Sequence, residues 1–238
     1  MVSRTRMVEL VKAFDADAVA AGLDESPQLV GWRDERGRSW LHLCCARNVE
    51  GDPARAEAAV RTADVLVARG LGIEDVAFTE GEWRATPLWF SIAHGRNLRL
   101  AEHLLKLGAA PAYSMHAAAF NDDLGAMRLL AAHGHAVDEG GEGDTPFLFM
   151  IRWSRFRAAE ALLDLGANIN ALDEKGLTAL HLMLKKGSDK RWFERLIARG
   201  ARGDIPGPGG QTAIQIMRRK KDPEFRRMAE VLASRGAE

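Results

Sequence analysis

One short pattern recurs along this 238-residue chain, and it limits the fold more than any other feature. An apolar, helix-forming stretch returns as RSWLHLCCA (Arg38–Ala46), ATPLWFSIA (Ala85–Ala93), YSMHAAAF (Tyr113–Phe120), DTPFLFMI (Asp144–Ile151), LTALHLML (Leu177–Leu184) and QTAIQIM (Gln211–Met217). After each comes a polar break, then a second apolar run closing on Gly70, Gly108, Gly134, Gly166, Gly200 or Gly236, so the glycines recur every 26 to 38 residues. Self-similarity at that period marks an array of stacked supersecondary units. A single helical pair cannot cover its own apolar face, so neighbours supply the core and stability becomes a sum of near-neighbour terms.

The local chemistry of each copy supports two helices. Thr86-Pro87 and Thr145-Pro146 place a hydroxyl cap before a proline. The hydroxyl satisfies an orphan backbone N–H, and proline at the first helical position loses no needed donor. The second run presents paired aliphatics, Leu104-Leu105, Leu129-Leu130, Leu162-Leu163 and Leu196-Ile197, as an inward stripe. The closing glycines suit a left-handed helix end.

These residues resemble the ankyrin repeat family from about Arg33 to Gly236. GANINALDEKGLTALHLM (Gly166–Met183) is the close match, with five more degenerate copies around it. Trp89, Leu148 and Gln215 depart from the motif histidine, and Trp40 and Ser114 from its proline. The resemblance implies an all-α ankyrin repeat solenoid of helix-turn-helix units with short β-hairpin loops. Residues 1–32 read as an N-terminal helical cap, and 33–238 as about six repeats, the last a C-terminal cap, in one continuous solenoid. By the same resemblance His42, His116 and His181 hold neighbouring repeats in register rather than catalyse. Three irregularities stand out: Ala46–Arg61 lengthens the first inter-helix turn into an extended helix or a projecting loop. Only AAPA separates Gly108 from Tyr113, leaving no room for a hairpin, and GDIPGPGGQ (Gly203–Gln211) forms a stiff finger.

The remaining sequence offers little chemistry. Cys44 and Cys45 are adjacent, which suits neither a disulfide framework nor metal spacing, and they stand where the repeat has small buried residues. EGGEGDT (Glu139–Thr145) is glycine-rich without the Gly-Lys-Ser/Thr that a phosphate-binding loop needs. Asp15/Asp17 and Asp122/Asp123 fall at a helix start and a turn, where aspartate has local reasons to be. His133 and His135 flank Gly134 without further ligands. A non-enzymatic protein with no cofactor and no metal is expected. Glu9 and Lys12 interrupt the N-terminal apolar stretch, so it does not read as a signal peptide, and no apolar run approaches the roughly 20 residues that cross a bilayer. Cytoplasm is the default expectation.

The 33 basic and 33 acidic residues cancel overall, but Lys185–Glu238 carries 14 Lys/Arg against 7 Asp/Glu. Ankyrin stacks bind through a concave groove made of hairpin tips and first-helix ends. Carried over by resemblance, the partner-binding residues are Trp83, His94, Phe120, Asn121, Arg152, Trp153, Lys185, Lys186, Arg219 and Lys220, with Glu142, Glu174 and Lys175 at further hairpin tips. Aromatics and arginine favour interface hot spots, and a basic stripe favours acidic partners. The expected role is protein–protein interaction, as a scaffold or an inhibitor of the immunity type, by a monomer with an acidic protein partner. Nucleic-acid binding through MRRKKDPEFRR (Met217–Arg227) is the alternative.

Overall fold

The computed structural model describes residues 2–80, 83–140 and 143–235, with only the backbone of residues 79, 80 and 83. Glu142 and Gly236 lie outside the described residues, as does the side chain of Trp83. The chain divides into two compact units, Met1–His135 and Ala136–Glu238.

In the first unit four helical pairs follow one another: α1 (Arg4–Ala13) with α2 (Ala16–Glu25), α3 (Trp40–Cys45) with α4 (Pro53–Ala68), α5 (Pro87–Ala93) with α6 (Leu98–Lys106), and α7 (Ser114–Phe120) with α8 (Leu124–Ala132). First helices touch in file, α1 to α3 to α5 to α7, and second helices do the same, α2 to α4 to α6 to α8. Between α4 and α5 a short antiparallel hairpin pairs β1 (Thr79–Glu80) with β2 (Trp83–Arg84). In the second unit the pairs are α9 (Pro146–Arg152) with α10 (Phe156–Asp164), α11 (Ala179–Lys186) followed by α12 (Lys190–Ala198), and α13 (Ala213–Arg218) with α14 (Pro223–Arg235). Here α9, α11 and α13 touch in file.

Capping follows the sequence closely. Thr86 and Thr145 accept from the backbone N–H groups of Trp89 and Leu148 at 3.3 and 3.2 Å, each with proline as the next residue. Second helices begin on Asp15, Asp52, Asn97, Asp123 and Asp189, each accepting a backbone N–H through its side chain. Asp15 and Asp123 are therefore helix caps, not members of acid–base pairs. The Ala46–Arg61 irregularity divides into a turn over 46–52 and the start of a long helix: Asp52 caps and Pro53 opens α4, which runs for 16 residues. After Gly108 the chain passes directly into α7 with no hairpin, and Tyr113 takes a left-handed conformation at the cap. The finger at 203–211 closes on itself through Gly207 N–H to Gln211 O at 2.9 Å.

The core is carried by the facing stripes, among them Leu100, Leu104, Leu130 and Leu162, all fully buried. Burial of such a side chain contributes about 2 kcal/mol. Trp40, standing where the repeat has proline, is fully buried; its ring stacks on Trp32 at 4.0 Å and its indole N–H donates to Leu29 O at 2.7 Å. Cys44 and Cys45 are buried, and burial pushes the Cys44 thiol up to about 12 and Cys45 upward as well, so neither supplies a thiolate near neutrality.

Candidate interaction surface

The histidines come first because they decide between chemistry and structure. Ser39 N–H donates to His42 Nδ1 at 3.1 Å, which leaves the proton on Nε2. That nitrogen faces the carbonyls of Asp75 at 3.0 Å and Ala85 at 3.2 Å, in the connection leading to α5. His181 repeats the arrangement, with Thr178 N–H on Nδ1 and Gln211 O 3.1 Å from Nε2. Gln215, which replaces the histidine in the last copy, closes the same box by accepting Thr212 N–H at 3.1 Å. Both nitrogens of His42 and His181 are therefore engaged by backbone, and each ring ties one helical pair to the loop that follows. Among the described residues no group of three or more His, Cys, Asp or Glu could hold a metal ion.

In the first unit the expected contact residues cluster at the ends of α5 and α7. His94 is exposed at the C-cap of α5, its ring 5.3 Å from Trp89 and 5.5 Å from Phe90. Partial burial, reinforced by the Arg38 guanidinium, holds its pKa below the ordinary imidazole value. Phe120 is 39% exposed at the end of α7. Asn121 follows it, but its amide donates to Ile92 O at 3.3 Å and Ala93 O at 3.0 Å, so it closes the end of α5. Trp89 was not among the expected contact residues, although an aromatic in the histidine position signals it; it is only half-buried and packs beside His94.

In the second unit Trp153 is the most exposed large apolar side chain, at 57%, and stands at the C-cap of α9. Beside it, Arg152 forms a two-point pair with Asp144, at 2.8 and 2.9 Å, and reaches Asp173 at 3.1 Å. Those carboxylates hold its pKa above the ordinary value, with Asp144 the larger influence. Arg152 thus ties the loop before α9 to the loop before α11. Lys186 donates to Arg152 O at 2.7 Å, while Lys185 is exposed at the end of α11. Arg219 is exposed at the C-cap of α13, and Lys220 follows with its ammonium 5.9 Å from the Phe225 ring centroid. The ends of α9, α11 and α13 therefore present one largely exposed aromatic and a file of cations.

Comparison with known proteins agrees with this architecture. No family model matches the chain. Mouse Inversin is 31% identical over 129 residues, 53% of this chain and 12% of Inversin, and human Inversin is 32% identical over 126 residues, 52% and 12% respectively. Human Rabankyrin-5 is 32% identical over 62 residues, 26% of this chain and 5% of its own. The chain thus spans about an eighth or less of these curated relatives. Among solved structures, the ankyrin repeat domain of Bcl-3 aligns with a TM-score of 0.72 at 18% identity, covering 95% of this chain and 97% of that one. The human ASB11 ankyrin repeat domain aligns at 0.64 with 20% identity and 98% of each chain. The chain thus has the ankyrin repeat fold.

Proposed function

We propose that the chain is a protein–protein interaction module that binds an acidic partner across the ends of its first helices, as a cytoplasmic scaffold or inhibitor. The observation that carries this reading is Trp153, a large ring left 57% exposed at a helix end beside the cations of α11 and α13. A ring in water gains by burial, and it is rigid enough to lose little entropy when a partner covers it. Lys185 and Arg219 supply the electrostatic steering that favours an acidic surface. On the first unit, taken by itself, Phe120, His94 and the Trp89 ring form a helix-end surface of similar kind. Asn121 and Arg152 support it from inside, since their polar groups hold neighbouring loops and helix ends.

The test is an affinity capture from source-cell lysate, comparing wild type with a Trp153→Ala, Lys185→Glu variant whose thermal melt matches wild type. A protein enriched by the wild type and lost by the variant carries the proposal. Equal capture by both refutes the helix-end surface, and capture of RNA or DNA in place of protein refutes the acidic-protein reading.

A further inference from the structure

We infer that the turn edge joining α11–α12 to α13–α14 is a second docking site. Its occupant is an acidic segment of the partner carrying an apolar side chain between carboxylates. This inference rests on the proposal above that the partner is an acidic protein. An open depression of about 510 Å³ lies there, away from the Trp153 ring. Leu184, Gly187 and Phe225 give it an apolar lining, and Lys190 and Lys220 also line it, together with the carboxylates of Asp189 and Glu224. Phe225 is fixed from behind by an edge-to-face contact with the buried Phe193 at 5.3 Å. Gly187 ends α11 in a left-handed conformation and brings no side chain into the space. Ser188 lines it too, and its hydroxyl has no hydrogen-bond partner within the protein. A buried hydroxyl without a partner is a cost that an incoming carbonyl or carboxylate would remove.

Charge decides the occupant. Residues 184–191 and 218–227 together hold ten Lys/Arg and three Asp/Glu. Lys190 is engaged by Asp222 and Glu224, Arg191 by Asp189 and Arg218 by Glu230. Arg226 donates to the carbonyls of Lys220 and Lys221. Among the described residues Lys185, Arg219, Lys221 and Arg227 have no carboxylate partner, and all are exposed. Lys185, Arg219 and Lys221 each adjoin a lining residue in sequence, so an apolar floor beside these cations fits a side chain flanked by acids. A phosphate backbone would meet the cations but leave the floor empty.

The probes are two synthetic peptides, Glu-Glu-Phe-Glu-Glu and Glu-Glu-Ala-Glu-Glu with blocked ends, titrated into the ¹⁵N-labelled full chain. The expected result is shifts of the Leu184, Gly187, Ser188 and Phe225 amides, at least tenfold tighter binding of the Phe peptide, and loss of both in a Lys221→Glu, Arg227→Glu variant. Shifts confined to residues around Trp153 and Lys185 overturn the second site and leave the helix-end proposal standing. So does the absence of any shift at millimolar peptide. A uridine dodecamer that moves the same amides, with Phe and Ala peptides indistinguishable, overturns it in favour of nucleic acid.

Discussion

Gly95 gives the sharpest test of how the repeats fit together. It follows the C-cap of α5, and a Cβ placed on it would lie 2.2 Å from the carbonyl oxygen of Cys45 and 2.9 Å from that of Ser91. Both obstacles are backbone, so no rotamer change relieves them. Restoring an ordinary carbon–oxygen distance requires the ends of α3 and α5 to part by about 1 Å. Overpacking of a tight contact costs about 1–3 kcal/mol, and a rigid backbone obstacle belongs at the upper end. The same movement strains the hydrogen bond from Val49 N–H to Gly95 O, 3.0 Å long, whose donor residue is buried. Loss of that bond adds about 1 kcal/mol. Gly95→Ala is therefore expected to lose about 3–4 kcal/mol, a large share of a domain's typical stability. Urea unfolding followed by circular dichroism measures it, with Gly31→Ala as the control, since a Cβ at Gly31 meets nothing within 4 Å. A Gly95→Ala loss below 1 kcal/mol, or one no larger than the control's, would refute the reasoning.

Three further outcomes follow from the same structure. Ser154 is exposed in a left-handed conformation (φ 57°) just before α10, so Ser154→Gly should raise stability by about 0.5–1 kcal/mol, read as a higher urea midpoint; an unchanged midpoint contradicts it. Arg152→Ala should cost about 1–3 kcal/mol, because the Asp173 carboxylate, its side chain 2% exposed, loses its guanidinium; Lys185→Ala, at an exposed cation, should change the midpoint by less than about 0.5 kcal/mol. Burial lowers the pKa of His42, and burial with Arg38 lowers that of His94, so the unfolded chain binds these protons more readily than the folded one. Their contribution is complete above the ordinary imidazole value near 6.5 and is lost as pH falls toward the lowered folded values. The thermal midpoint should drop between about pH 7.5 and 5.5, and His42→Gln, which can close the capping box as Gln215 does, should flatten that slope; an equal slope in both proteins contradicts it.

The features legible in the sequence are those fixed within one helical turn. Thr86-Pro87, Thr145-Pro146 and the closing glycines announce helix ends because caps act over three or four residues. The motif histidines were legible only through the repeat, since the carbonyls that His42 meets lie 33 and 43 residues away. Arg152 shows what local reading misses. Its position at a helix end suggested an outward cation, yet Asp144 and Asp173, 8 and 21 residues off, converge on it once the loops are placed. The hydrogen bonds of Asn121 were hidden in the same way, because the α5 carbonyls it satisfies belong to the preceding pair. The tight place at Gly95 left no mark in the sequence. A glycine there looks like any turn glycine until the neighbouring backbone is in position.

The charge imbalance takes on meaning when sorted by helix. On the second helices, opposite charges meet between neighbours: Asp24 with Arg69 and Glu57 with Arg99 in the first unit, Glu160 with Arg195 and Asp164 with Arg199 in the second. Exposed pairs of this kind add at most about 1 kcal/mol each, so they contribute little to stability. Their effect on the surface is larger, because each pair removes one cation and one carboxylate from the field that a partner meets. In the second unit Glu160 and Asp164 are paired on the second helices and Asp144 and Asp173 by Arg152, while Lys185 and Arg219, in no such pair, lie exposed at the ends of α11 and α13. A partner steered by that charge should associate more slowly as salt rises, since the field is screened beyond about 8 Å at physiological ionic strength. Its dissociation, governed by cover over the Trp153 ring, should change little. Association and dissociation rates measured across a salt series separate the two contributions. A dissociation rate that rises with salt as steeply as the association rate falls would show that cations, and not the ring, hold the complex.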